Sequence, residues 1–439
     1  MRVVESVRAS RVRHVVANVP VAVAVVAAVL VGTVSGSAAV AGAQSASVPG
    51  VTAKQIRVGA IIGKTNPTGV QYEQVVTGAK AFFDGLNRKG GVFGRQVKIV
   101  DVVDDQTRSS KDLLGARQLV EEDKVFAALV ATQEFAGADV FVKSGTPVFG
   151  YNIQVDWSKG PNLFGTYGSY LCLDTCPQIG PAYVAQQVGA KHPAIFGYGS
   201  SPQSADCANV TKLGFEKWGP KPAVFDTSLS FGFSANDIAG AVQAMKDNQV
   251  DFVTTCMDLQ GEVNLKKALE AAGVQGTKFY APQGYDAKNL AQLGDTLDGF
   301  TFLTQFVPFE AAQGNPGMTQ FVAAMKKIHE VPSENLFVGW VAGELMVRGI
   351  QDAGKDFTQQ SVVAAINRIT DWNANGKTRP TNWTTAHGPA APGDSSCTAF
   401  VTVEKAKFVP VFGQPGKPFV CFPENPYAAT LDVHTFVGK

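Results

Sequence analysis

The chain has 439 residues, 45% of them hydrophobic and 17% charged, with 45 Gly and 23 Pro; that is too long for one ordinary core, so two domains are expected, and disorder, collagen and coiled coil are excluded. The formal net charge is +1, and once the arginines near the start (Arg2, Arg8, Arg11, Arg13) are set aside the remainder is close to neutral. Such a balance leaves no electrostatic footprint for nucleic acid or an anionic membrane.

The Arg-bearing start is followed by a charge-free run from His14 to Ala53, within which residues 21–34 are almost wholly Val, Ala and Leu. That is the pattern of a signal peptide, and Ala41-Gly42-Ala43 fits the small-residue cleavage rule, so residues 1–43 are expected to be removed after Ala43. The alternative is an uncleaved anchor, but the apolar run falls short of the roughly 20 residues of a spanning helix. No cysteine precedes Cys172 to carry a lipid, and charged or turn residues interrupt every later apolar stretch. An exported protein is expected, secreted, periplasmic or associated with the cell surface, without a membrane span in the mature chain.

Beyond the leader, short β-branched runs alternate with amphipathic stretches. IRVGAII (56–62) predicts a strand, 72–87 a helix with Val75, Val76, Ala79, Phe82, Phe83 and Leu86 on one face, and QVKIVDVV the next strand after the Gly-rich turn 90–94. A helix over 110–122, a strand over 126–130, a helix over 135–144 and a strand over 146–150 complete a β-α series whose crossovers force parallel pairing. After an irregular stretch from Val155 to Pro177 the alternation restarts. Helices over 178–189, 203–218, 236–248 and 261–272 interleave with strands over 193–198, 222–226, 250–256 and 277–281. Three more helical patterns (317–329, 335–353, 358–369) precede a β-rich end (397–413). The fold class is therefore α/β, with two Rossmann-like lobes and a cleft between them.

Six cysteines in an exported chain are expected to be oxidised, and their spacing suggests local pairing: Cys172 with Cys176, Cys207 with Cys256, and Cys397 with Cys421. Other connectivities remain formally open. No metal site is expected, because Cys172 and Cys176 have no second pair or His nearby and the five His are scattered.

In an open parallel sheet the ligand lies beyond the carboxyl ends of the strands. The loops there hold Lys64, Thr65, Asn66, Gln71 and Tyr72; Thr132, Gln133 and Glu134; Tyr151, Asn152 and Gln154; Ser200, Ser201 and Gln203; Asp258 and Gln260; and Gln283, Tyr285 and Asp286. Amides, hydroxyls and aromatics suit holding a small polar ligand better than transforming it. Catalytic patterns fail on inspection. GAIIGKT is one residue short of a phosphate-cradling loop, since only Ala60, Ile61 and Ile62 separate Gly59 from Gly63. The run 197–200 resembles a nucleophile elbow, but Pro202 and Gln203 break it and no His is placed to serve Ser200 or Ser201. The pairs Asp104-Asp105 and Glu121-Glu122 read as solvated faces.

The order of elements resembles the type I periplasmic binding proteins, specifically the branched-chain amino-acid (Leu/Ile/Val) binding family of ABC importers. NRKGGVFGRQVKIVDVVDDQ (87–106) is similar to that family's opening signature, and FAALVATQ, TPVFGYN, VDFVTTCMD and KFYAPQGYD extend the likeness over nearly all of the mature chain. The resemblance implies a bacterial solute-binding protein without cofactor or enzymatic activity. Its three crossovers imply lobe I over 52–166 and 306–388 and lobe II over 167–305 and 389–439. It also implies a cleft in which Ala131, Thr132 and Gln133 receive a ligand carboxylate, followed by Asn152, Ile153 and Gln154. Pro202-Gln203 and Met257-Asp258 stand where the family has flanking aromatics, and Gln283 stands where it has the acid that meets the ligand ammonium, leaving Asp258 to supply that countercharge. Gln71, Tyr72 and Tyr285 join these as ligand candidates.

The function expected is capture of a small polar molecule, an amino acid or a related amide or carboxylate, by hinge closure, and its delivery by a monomer to the permease of an ABC importer. A secreted α/β hydrolase and a ligand-sensing subunit for a membrane receptor are the rival readings.

Overall fold

The computed structural model describes residues 47–67, 69–166, 168–170, 172, 176, 178–387, 397–422 and 434–435. The expected signal peptide and its cleavage point lie outside them. The first lobe is built from β1 (Gln55–Ile62), α1 (Glu73–Asn87), β2 (Gln96–Asp104), α2 (Ser109–Arg117), β3 (Ala127–Ala131), α3 (Ala138–Ser144), β4 (Val148–Gly150) and β5 (Leu163–Gly165). Its sheet runs β2-β1-β3-β4-β5, parallel throughout. All five residues of β3 and the last five of β1 are buried, as expected of parallel strands covered by helices on both faces.

The second lobe follows the same logic. Its elements are α4 (Ile179–Gln187), β6 (Pro193–Tyr198), α5 (Pro202–Trp218), β7 (Val224–Leu229), α6 (Ala239–Asp247), β8 (Phe252–Cys256), α7 (Leu259–Ala271), β9 (Lys278–Ala281), α8 (Ala287–Leu293) and β10 (Phe300–Thr304). The chain then forms α9 (Pro316–Lys327), α10 (Glu334–Ala353) and α11 (Gln359–Ile366), and ends with β11 (Cys397–Val403), β12 (Phe408–Val411), β13 (Val420–Cys421) and β14 (His434–Thr435). The second sheet runs β14-β13-β11-β10-β9-β8-β6-β7, with β12 on β11. It is parallel from β7 to β10, and β11 joins antiparallel.

Helix α10 returns to the first lobe and lies against α1 at very close range. A Cβ on Gly78 would stand 1.9 Å from the Leu336 carbonyl oxygen, and one on Gly339 1.9 Å from that of Val75. Two chain crossings between the lobes are tied together: the Ser169 N–H donates to the Ala386 carbonyl at 3.0 Å, and the Ser169 hydroxyl bonds Nδ1 of His387.

The three disulfides are Cys172–Cys176, Cys207–Cys256 and Cys397–Cys421, the pairs that spacing suggests. Five elements differ from expectation. The stretch read as irregular contains β5, α8 and β10 fall between patterns that the periodicity did not resolve, and β13 and β14 lie past the β-rich end expected at 397–413. No helix among the described residues is long and apolar enough to cross a membrane.

Candidate ligand-binding cleft

Parallel strands in both lobes end at a shared crevice, and the loops that follow them line a cavity of about 430 Å³. Lobe I contributes Tyr72 from just before α1, Gln133 and Glu134 after β3, and Ile153 after β4. From lobe II come Tyr198 at the end of β6, residues 200–204 at the start of α5, Phe231 after β7, Met257 and Asp258 after β8, and Pro282 and Gln283 after β9. A second cavity of about 420 Å³ adjoins it, lined by Gln71, Tyr151, Glu334 and Asn335 on one side and by Gln260, Tyr285, Asp286 and Lys288 on the other. Gln283 belongs to both cavities, and its Nε2 donates across the crevice to the Tyr151 hydroxyl at 3.4 Å.

Local chemistry fixes these side chains. Asp258 caps α7, one oxygen accepting from the Gly261 N–H at 3.1 Å while the other accepts from the Tyr198 hydroxyl at 2.6 Å. Burial, followed by the Asp258 carboxylate, raises the Tyr198 pKa, so this hydroxyl stays a donor. Ser201 caps α5 by accepting from the Ser204 N–H at 3.3 Å, with Pro202 in the first turn. Ser204 in turn donates to the Cys256 carbonyl at 2.5 Å and accepts from the Tyr198 N–H at 2.7 Å. The Cys207–Cys256 disulfide, which also borders the cavity, joins α5 to the end of β8. Each wall carries an aromatic pair: Tyr72 and Tyr151 have centroids 5.8 Å apart, and Tyr198 and Phe231 4.2 Å.

Beneath each wall lies a buried acid bonded by a threonine. Thr132 donates to Asp105 in lobe I, and Thr255 donates to Glu262 in lobe II. Burial raises the pKa of both acids against the lowering effect of those hydroxyls. In the second cavity burial, with Asp286 nearby, pushes Glu334 up to about 7.

The expected ligand residues divide accordingly. Tyr72, Gln133, Ile153, Pro202, Gln203, Met257, Asp258 and Gln283 line the first cavity, and Gln71, Gln283 and Tyr285 the second. Ala131, Thr132, Asn152 and Gln154 do not reach the surface of either cavity: all four are buried and tied to the scaffold. The Ala131 carbonyl accepts from the Gly63 N–H, Asn152 donates to the Gly168 carbonyl at 3.1 Å, and Gln154 donates to the Thr132 carbonyl at 2.5 Å and accepts from the Trp157 indole at 3.0 Å. Tyr198 and Phe231 are wall residues that the sequence did not offer as candidates. Tyr198 reads as an interior strand residue, and Phe231 sits in a loop after an edge strand, although an isolated aromatic just past a strand end was the available signal. Among the described residues no group of three or more His, Cys, Asp or Glu is placed to hold a metal ion.

A cleft between two open α/β sheets, walled by loops from both, defines a bilobal binding protein of type I architecture. The periplasmic binding protein family model matches residues 55–407, and the chain belongs to that family. No curated protein matches it in sequence. Among solved structures, the branched-chain amino acid transporter substrate-binding protein LivJ from Streptococcus pneumoniae, in complex with isoleucine, aligns at 16% identity over 82% of this chain and 100% of that one, with a TM-score of 0.66. The fatty acid ABC transporter substrate-binding protein from Thermomonospora curvata aligns at 18% identity over 83% of this chain and 93% of its own, with a TM-score of 0.65. A putative branched-chain amino acid ABC transporter protein from Rhodospirillum rubrum is 19% identical over 81% and 100%, with a TM-score of 0.58. At such identities the likeness is one of fold.

Proposed function

We propose that this protein captures a small organic molecule between its lobes outside the cytoplasm and, as a monomer, presents it to the permease of an ABC importer. The observation that carries this reading is the cavity of about 430 Å³ whose lining comes from strand-end loops of both lobes. A ligand there touches both walls only when they approach, so its binding energy favours the closed arrangement. Family membership implies an extracytoplasmic location, consistent with removal of residues 1–43 as a signal peptide. In this reading lobe I spans 52–166 and 306–388 and lobe II 167–305 and 389–439. Two of the structures named above are of substrate-binding proteins, one holding isoleucine and another named for fatty acids; both of those ligands bear a carboxylate.

The test is mass spectrometry of what leaves the purified protein on denaturation, together with affinity capture from membranes of the native host. One small molecule per chain and co-capture of an importer permease are expected. An empty protein that binds nothing from host growth medium, or capture of a membrane kinase in place of a permease, would overturn the proposal.

A further inference from the structure

The charges around the cleft narrow the class of ligand, an inference that rests on the cleft being the solute site. Among the described residues, no Lys, Arg or His lines the cavity of about 430 Å³, whereas Glu134 and Asp258 do. The adjoining cavity adds Asp286 and Glu334, the latter only partly ionised near neutral pH, and its one cation among the described residues, Lys288, lies 3.3 Å from Glu330. A ligand carboxylate would meet this acidic lining without a cationic side chain of the first cavity to receive it. Thr132, Asn152 and Gln154, expected to line the site, are bonded elsewhere, to Asp105, Gly168 and Thr132 respectively, and the amides and hydroxyls that do line the cavity, such as Gln133, Ser200 and Gln203, carry no positive charge. The start of α5 is also a poor anion receptor, because Pro202 has no N–H and the Ser204 N–H is already taken by the Ser201 hydroxyl.

Aromatic side chains supply the opposite preference. Of the aromatics bordering the same cavity, Phe231 is 43% exposed whereas Tyr72 and Tyr198 are buried; Phe231 therefore offers the ring face, and aromatic faces attract organic cations, most strongly where water is excluded. We infer that the ligand is an organic cation lacking a carboxylate, its ammonium seated against Phe231 with Glu134 and Asp258 as countercharges. Asp258 acts mainly through its charge, since both of its oxygens already accept hydrogen bonds.

Calorimetry on the purified, dialysed protein tests this with probes of related skeleton and different charge: phenethylamine and choline as cations, phenylalanine and leucine as zwitterions, phenylacetate as the anion and phenylacetamide as the neutral member. A cation should bind at least roughly tenfold more tightly than any other probe. Asp258→Asn and Glu134→Gln should each weaken it by roughly tenfold or more. Asp258→Asn keeps the helix cap but takes the carboxylate acceptor from the Tyr198 hydroxyl, so its melting temperature should fall somewhat, and affinity is compared on protein that is folded at the assay temperature. Tightest binding of a zwitterion, the anion or the neutral amide overturns the inference, as does unchanged cation affinity in both variants. If no probe binds, the charge of the molecule that co-purifies decides: a cation supports the inference, and any other ligand overturns it while leaving the solute-binding reading intact. If nothing binds and nothing co-purifies, both fall.

Discussion

Asp112 shows how a single buried carboxyl sets a pH dependence. It is fully buried, one oxygen accepts from the Gly137 N–H at 2.6 Å, and the other has no hydrogen-bond partner among the described residues. Burial pushes its pKa up to about 7, the Gly137 N–H opposes the rise, and Asp105, Glu134 and Asp156 add to it. A carboxyl raised in the folded state costs nothing below its unfolded pKa of about 4, where both states are protonated. Stability is then lost as pH rises from about 4 towards 7, because the unfolded chain ionises first. Asp112→Asn keeps the acceptor for Gly137 and cannot ionise. The variant is expected to be about 1–3 kcal/mol more stable than wild type at pH 8, with the difference vanishing near pH 4. Urea denaturation at several pH values checks this, and an Asn variant less stable than wild type at pH 8 would contradict the assignment.

Residue-scale reading also explains what the sequence made visible at the site. Asp258, Gln203 and Gln283 follow parallel strands, and strand ends place side chains at a crevice by topology alone. Thr132, Asn152 and Gln154 share that position and polarity but turn inward, where they satisfy backbone carbonyls and a buried acid. Polarity at a strand end does not distinguish a side chain facing ligand from one facing scaffold; the direction depends on neighbours distant in sequence, such as Gly168 for Asn152.

At the level of elements, the approach of α1 to α10 depends on two glycines whose missing side chains admit the partner's backbone. Gly78 and Gly339 each face a carbonyl oxygen that a methyl group would overlap at 1.9 Å. Gly78→Ala and Gly339→Ala are expected to destabilise lobe I by about 1–3 kcal/mol or more, despite the higher helix propensity of Ala. Thermal melts check this, and wild-type melting temperatures for both would contradict the packing. The disulfides should differ by the length of chain they close. By the chain-entropy argument, loss of Cys207–Cys256, 49 residues apart, costs about 4 kcal/mol, and loss of Cys172–Cys176, 4 apart, about 2 kcal/mol. Paired Cys→Ser variants compared by denaturation test that order, and a larger loss at Cys172–Cys176 would refute it.

The elements that the sequence declared were those with a long enough pattern. The 15 residues of α1 show their buried face plainly, β3 is a continuous apolar run, and β1 ends in one from Val58 to Ile62. Strand β5 has three residues between Gly- and Pro-rich neighbours, too few for a period, and exists because Val148, Phe149 and Gly150 of β4 present an edge to pair with. Likewise β10 takes its place from β9 on one side and β11 on the other, the latter about a hundred residues later in the chain.

Across the whole molecule, the two sheets meet through chain crossings that are mutually bonded, as at Ser169 with Ala386 and His387, and through contacts beside the crevice: Gln283 donates to Tyr151, the Tyr285 hydroxyl donates to Glu310 and accepts from the Phe309 N–H, and Lys288 pairs with Glu330. Each lobe can rotate as a packed unit about such a join while the contacts at its edge exchange partners. The contact across the crevice should therefore be made stronger by ligand and not by the walls alone, so Gln283→Ala is expected to weaken ligand binding by about tenfold with little change in melting temperature of the unliganded protein.

The central claim, that a ligand in the cleft draws the lobes together, is tested most directly by small-angle scattering of the same preparation stripped of ligand and then saturated with the molecule that co-purifies. The account predicts a smaller radius of gyration on saturation, reversed when the ligand is removed. Identical scattering curves with and without a ligand shown by calorimetry to be bound would contradict it.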